Sequence, residues 1–202
     1  MSSEPTGGPG ATDGASGTRT TYLLVDGENI DATLGGSILG ARPSPEERPR
    51  WERVLSFART VWGGDDVKGL FFLNASNGTM PMSFVQALVA IGFQPIPLAG
   101  EAHEKVVDIG IQRTLDALAD RSGDVLLASH DGDFAPQLAA LLGPGRNVGM
   151  LAFKEFTSTA LQQLGEGGLE VFDLESDVKA FNVRLPRLRI ISLAEFDPTR
   201  YL

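Results

Sequence analysis

Val125-Leu126-Leu127-Ala128-Ser129-His130-Asp131-Gly132-Asp133-Phe134 is an apolar run that stops at Ala128 and gives way at once to a polar turn with two carboxylates. A short apolar run bounded in this way reads as a buried strand entering a turn, with a helix from Phe134 onward. The same plan occurs near the start of the chain, where Tyr22-Leu23-Leu24-Val25 ends in Asp26-Gly27-Glu28-Asn29. Two apolar strands with acidic tips raise the question of whether the tips meet.

Working outward, strands and helices alternate. Strands are expected over 20–25, 67–73, 93–98, 124–129, 147–152 and 169–172, and helices over 51–62, 82–91, 106–120, 134–142 and 156–164. Apolar residues at 51, 54, 55, 58 and 62 have helical spacing, and Gly63-Gly64 and Gly92 mark helix ends. Pro95 and Pro97 place their strand at an edge. Short turns between alternating elements predict an α/β chain with a mostly parallel central sheet covered by helices on both faces. The stretch 30–49, with three glycines and three prolines, reads as a long loop.

Residues 1–19, rich in Gly, Ser, Thr and Pro, form an expected disordered tail; 20–175 form the domain and 176–202 an extension. In the extension Lys179, Arg184, Arg187 and Arg189 cluster, and 190–193 has the character of an added strand. This segment reads either as a basic arm touching nucleic acid or as a tail packed on the domain, on a second copy or on a partner protein, with the second weighing more.

Composition narrows the chemistry. No cysteine is present, which excludes disulfides and Cys-ligated zinc, and His103 and His130 have no metal-binding or triad-like spacing. A net charge of −9 argues against a broad basic surface for nucleic acid, though not against an acidic pocket that recruits a divalent cation. With no membrane-length apolar window and no basic-then-apolar start, the expected location is the cytoplasm.

In parallel α/β sheets ligands lie beyond the carboxyl ends of the strands, the end that carries Asp26 and the Asp131/Asp133 pair. Asp108 joins them, because on its expected helix it shares a stripe with Ile111, Leu115 and Ala119, whereas Arg113, Asp116 and Asp120 turn to solvent. Singly, Asp26-Gly27 is a turn, Asp133 an N-cap and Asp108 a cap of its own helix. Together, Asp26, Asp108, Asp131 and Asp133 make a site for Mg²⁺ or Mn²⁺, since clustered like charges are costly without a cation. Such an ion supports phosphodiester hydrolysis. Asn29 and Ser129 supply an amide and a hydroxyl that could position water or phosphate, and Lys105 lies in the turn before the Asp108 helix.

Val25-Asp26-Gly27-Glu28-Asn29, Lys105-Val106-Val107-Asp108 and Ser129-His130-Asp131-Gly132-Asp133-Phe134-Ala135-Pro136 resemble, in order and spacing, the motifs of NYN domains, the PIN-like ribonuclease superfamily that includes LabA-like bacterial proteins. Leu169-Glu170-Val171-Phe172-Asp173 resembles that domain's final strand, so the likeness covers 20–173. It implies a three-layer PIN-like fold and a metal-dependent endoribonuclease, with Asp26, Asp108, Asp131 and Asp133 as metal-binding acids and Asn29 assisting. The insertion after Asn29 and the C-terminal extension depart from the pattern. Two other functions compete: a non-catalytic RNA-binding or regulatory module, and a Toprim-like phosphoryl-transfer enzyme using Glu28 with Asp131 and Asp133.

Overall fold

Six strands pair side by side, every pair parallel, in the order β3-β2-β1-β4-β5-β6: β1 (Thr20–Asp26), β2 (Asp66–Asn74), β3 (Phe93–Leu98), β4 (Asp124–Ala128), β5 (Val148–Ala152) and β6 (Glu170–Asp173). The computed structural model describes residues 19–64, 66–101, 103–187, 191, 193–200 and 202. The expected tail, apart from Arg19, lies outside the described residues, as do Arg189 and part of the 190–193 segment.

Strand alternation sorts the core into two layers. Leu23, Val25, Leu126 and Ala128 face α2 (Trp51–Thr60) and α3 (Met82–Ile91), while Leu24, Val125 and Leu127 face α4 (Val106–Ala119) and α5 (Ala135–Leu141). Each residue of β4 and β5 is buried, the pattern of strands covered on both sides. This is the three-layer α/β architecture expected of a PIN-like domain. At the outer edge, the carbonyl of Leu98 in β3 accepts from the Ala75 N–H just beyond β2, at 2.7 Å. By the two-residue period of a strand, Gln94 and Ile96 also turn their backbone groups inward, and Pro95 and Pro97 turn theirs outward. Among the described residues no helix is long and apolar enough to cross a membrane.

The structure corrects two sequence expectations. The 30–49 stretch is not a loop throughout: α1 (Gly27–Thr33) starts directly after β1 and runs on into π-helical turns over Leu34–Leu39. Asp26 caps this helix by accepting the Asn29 N–H at 3.1 Å, and Ile30 and Leu34, four apart, are both fully buried. Those two anchors outweigh Gly35 and Gly36. The 156–164 helix shortens to α6 (Thr159–Gln163), because Ser158 caps it after a single turn at Lys154–Phe156.

The extension packs on the domain, the more heavily weighted of its two readings, and its basic residues divide. Leu174, Val178, Ala180, Phe181 and Leu185 belong to the same core as α2 and α3, and Arg53 of α2 donates to the carbonyls of Lys179 and Phe181. The Arg187 side chain is 2% exposed and bound to Glu155, Asp173 and Glu175. It is therefore not a nucleic-acid contact, whereas Lys179 and Arg184 are exposed.

Candidate active site

The strand order reverses direction between β1 and β4, and at such a switch point the helices leave a crevice beyond the carboxyl ends of the two strands. Val25 pairs with Ala128, so Asp26 and Ser129 emerge side by side into that crevice. Ser129 donates its hydroxyl to the second carboxylate oxygen of Asp26 at 3.1 Å and accepts the Asp131 N–H at 3.2 Å. Asp26 is only 2% exposed. Burial pushes its carboxyl up to about pKa 6; the Asn29 N–H and Ser129 hydroxyl oppose this, and the charges of Asp108 and Glu28 reinforce it. A buried carboxylate with two like charges near it is a group that a cation would stabilise.

Asn29, on the first turn of α1, holds the turn after β4. Its amide oxygen accepts the His130 N–H at 2.8 Å and lies 3.1 Å from His130 Nδ1. The other ring nitrogen, Nε2, accepts the Phe153 N–H at 2.8 Å. That assignment puts the ring proton on Nδ1 and leaves neither nitrogen free for a ligand. Burial, helped by the Arg187 charge, pushes His130 down to about pKa 4 despite Glu155 and Asp173, so the ring is neutral near pH 7. The oxygen of Asn29 is thus engaged with His130, and its NH₂ group is the part that remains for water or phosphate.

Asp131 rather than Asp133 is the cap: its carboxylate accepts the Asp133 N–H at 2.9 Å. The Asp133 side chain is 64% exposed, with Lys105 Nζ at 3.4 Å. The same ammonium is 3.3 Å from Asp108, which lies in the first turn of α4. Asp108 is half-buried, at the margin of a stripe formed by Val107, Ile111, Leu115 and Leu118, and Ala119 is exposed. The expected stripe holds Asp108 and Ala119; the helix is rotated slightly from that phase, which gives Asp108 access to solvent and to Lys105. Hydrogen bonds to Asp108 and Asp133 and the Asp131 charge hold the Lys105 ammonium more strongly charged than usual.

The turn therefore brings Asp26 and Ser129 into contact, and Lys105 joins Asp108 to Asp133. Among the described residues, no three His, Asp or Glu side chains converge closely enough to hold a metal ion as they stand. The donor set still suits one kind of ion. It consists of carboxylate, hydroxyl and amide oxygens, with no cysteine and with His130 engaged on both nitrogens, which favours Mg²⁺ or Mn²⁺ over softer metals.

Two contributors were not legible as site residues. The Phe153 ring stacks on His130, with centroids 5.4 Å apart and planes 9° from parallel, and the Arg187 guanidinium lies 4.9 Å from the Phe153 centroid. A continuous series of contacts therefore runs from the C-terminal segment through Phe153 and His130 to Asn29, three residues from Asp26. The one hint in the sequence is that Phe153 directly follows the β5 run.

The family model for the NYN domain matches residues 20–166. The chain belongs to the NYN domain family. The match spans Asp26, Asp108, Asp131 and Asp133, and it relates the chain to PIN-like nucleases. No curated protein matches this NYN chain significantly. Among solved structures, it is similar to a protein of unknown function from Vibrio parahaemolyticus RIMD 2210633, at 18% identity and a TM-score of 0.61, covering 79% of this chain and 95% of that one. That likeness is one of fold, and it agrees with a PIN-like NYN architecture.

Proposed function

We propose that this protein is a metal-dependent endoribonuclease whose site comprises Asp26, Asp108, Asp131 and Asp133 with Mg²⁺ or Mn²⁺. The observation that carries the reading is Asp26, a buried carboxylate at the switch-point crevice with a raised pKa and acidic neighbours. When bound, the ion would supply an activated water and charge stabilisation at the scissile phosphate. Asp26 and Asp108 would hold it, with Asp131 and Asp133 completing the oxygen set. The Ser129 hydroxyl fixes the rotamer of Asp26 through the contact at 3.1 Å. The NH₂ group of Asn29 orients water or a phosphate oxygen, and Lys105, 67% exposed at its side chain, offers a positive charge to the RNA backbone. The proposed substrate is RNA.

A second reading has one observation in its favour. Lys105 already bridges two of the four acids, as it would in a non-catalytic RNA-binding NYN module. The two are separated by experiment. Millimolar Mg²⁺ or Mn²⁺ is expected to raise the melting temperature of metal-free protein by mass action, with a smaller shift in Asp131→Asn. An RNA pool is expected to be cut by the wild type with Mn²⁺ and left intact by Asp108→Asn. A melting curve indifferent to both ions, or cleavage equal in variant and wild type, would refute the ribonuclease reading.

A further inference from the structure

Beside Asp26 the chain encloses a second feature that the acid site does not use. A cavity of about 520 Å³ opens next to the first turn of α1, with Gly27 and Glu28 in its wall. Its other walls bring aromatic rings together with guanidinium groups. Phe71 of β2 stands edge-on to Trp51 of α2 at 4.9 Å and to Phe84 of α3 at 5.4 Å, and all three line the space. Arg42 and Arg48 line it as well, in a chain whose net charge is −9. Arg48 is paired with Asp31 at 3.1 Å, yet its buried Nε has no hydrogen-bond partner, so a donor remains unused.

Gly27 makes this arrangement attainable. A Cβ at that position would come within 2.5 Å of the Phe71 ring, so only glycine lets an aromatic side chain approach the backbone directly after Asp26.

We infer that this cavity holds one unstacked base of a single-stranded RNA, adjacent to the phosphate that meets Asp26. The inference rests on the ribonuclease reading for its substrate and adds the strand state and the subsite. Single-stranded RNA is recognised by splaying a base onto aromatic or guanidinium surfaces and pairing its edge with polar groups, and the pocket supplies both kinds of wall. Glu28 and Asp31 accept from the N–H groups of a base, and Arg42 and Arg48 donate to its carbonyl oxygens or to a flanking phosphate. The volume lies within the usual range for a small-ligand site, about 300–1,000 Å³, and exceeds what a bare base needs. A base paired in a duplex cannot enter, which makes single strands the class selected.

Binding can be read without turnover, by fluorescence anisotropy in EDTA on the full chain. The probes are a labelled single-stranded RNA of about six nucleotides and a matched oligomer with abasic ribose at every position. The base-bearing strand is expected to bind roughly tenfold tighter than the abasic one, as one stacked base would provide. Phe84→Leu, which keeps apolar bulk and removes the ring, is expected to erase most of that difference. If thermal denaturation shows Phe84→Leu to be poorly folded, Arg42→Ala at an exposed position serves instead, with weaker binding of the base-bearing strand expected. Equal affinity for the two oligomers in the wild type, or an undiminished preference in the folded variant, overturns the subsite. Either result is independent of whether RNA is cleaved with Mn²⁺, so the subsite and the ribonuclease reading fail separately.

Discussion

Asp26→Asn is expected to abolish RNA cleavage and, in the same metal-free protein, to raise the melting temperature at roughly pH 8 by several degrees. The folded chain keeps the Asp26 proton up to about pH 6, whereas the ordinary value, that of the unfolded group, is 3.8. Between those values the folded state binds the extra proton, so stability falls as pH rises, and above about 6 the whole cost is present. Raising the carboxyl from 3.8 to about 6 costs at most roughly 3 kcal/mol. In a domain of this size each kcal/mol is worth about 2–4 °C. Asparagine keeps the acceptor for the Asn29 N–H and offers Ser129 a donor without carrying charge. Unchanged or lowered stability at pH 8 would show that Asp26 is not a strained carboxylate and would remove the main support for a cation site.

The pH profile supplies a second check on the same variant. His130 has the opposite sign: its folded pKa is about 4 against 6.5, so the unfolded chain binds the extra proton between those values and stability rises with pH. In the wild type the two contributions oppose each other between about pH 4 and 6. Removing Asp26 leaves the His130 slope exposed. The difference in melting temperature between variant and wild type is therefore expected to be small near pH 4 and to grow toward pH 7.

Arg187→Ala is expected to be the most destabilising single substitution at a charged position, at about 3–5 kcal/mol. The guanidinium makes two hydrogen bonds to Asp173, at 2.5 and 2.9 Å, one to Glu175 at 3.1 Å, and a close pair with Glu155. Its loss leaves several part-buried carboxylates facing one another. Burial alone would raise the Asp173 carboxyl, but the Arg187 hydrogen bonds, with those from the Ser176 and Lys154 backbone, hold it well below the usual carboxylate range. Its share of stability is thus present above about pH 4 and is lost as the pH falls further. Arg187→Lys, which keeps the charge and loses the fork, is expected to lie between. Chemical denaturation of the three proteins at neutral pH measures this, and a loss under about 1 kcal/mol for the alanine variant would show the cluster to be an ordinary surface network. Because Arg187 flanks Phe153, and Phe153 flanks His130, the alanine variant is also expected to loosen the Asn29–His130 contact, seen as faster amide exchange at His130.

Much of the scaffold was legible because its signals are local. β1 and β4 announce themselves as apolar runs closed by polar turns, and Met82–Ile91 is bounded by Gly92, which adopts the left-handed conformation at φ 101°. Asp26 and Asp131 could be placed at matching strand ends once the sheet was taken as parallel. What escaped depends on partners distant in sequence. The helix after Asp26 is carried by two buried side chains against a glycine-rich background. Arg187 reads as one of four clustered basic residues, because nothing in a sequence marks its pairing with Asp173 and Glu155, 14 and 32 residues away. Trp51 has helical spacing and Phe84 lies within the expected 82–91 helix, and only the approach of α2 and α3 turns their rings into a cavity wall.

The two outward-facing prolines of β3 govern how copies of the chain can meet. A sheet grows by accepting a new strand along an edge, and each joining residue must find an N–H or a C=O opposite. At Pro95 and Pro97 the donors are missing from the outer face, so this edge cannot template a further strand. Fibrillar extension of the sheet is closed on that side.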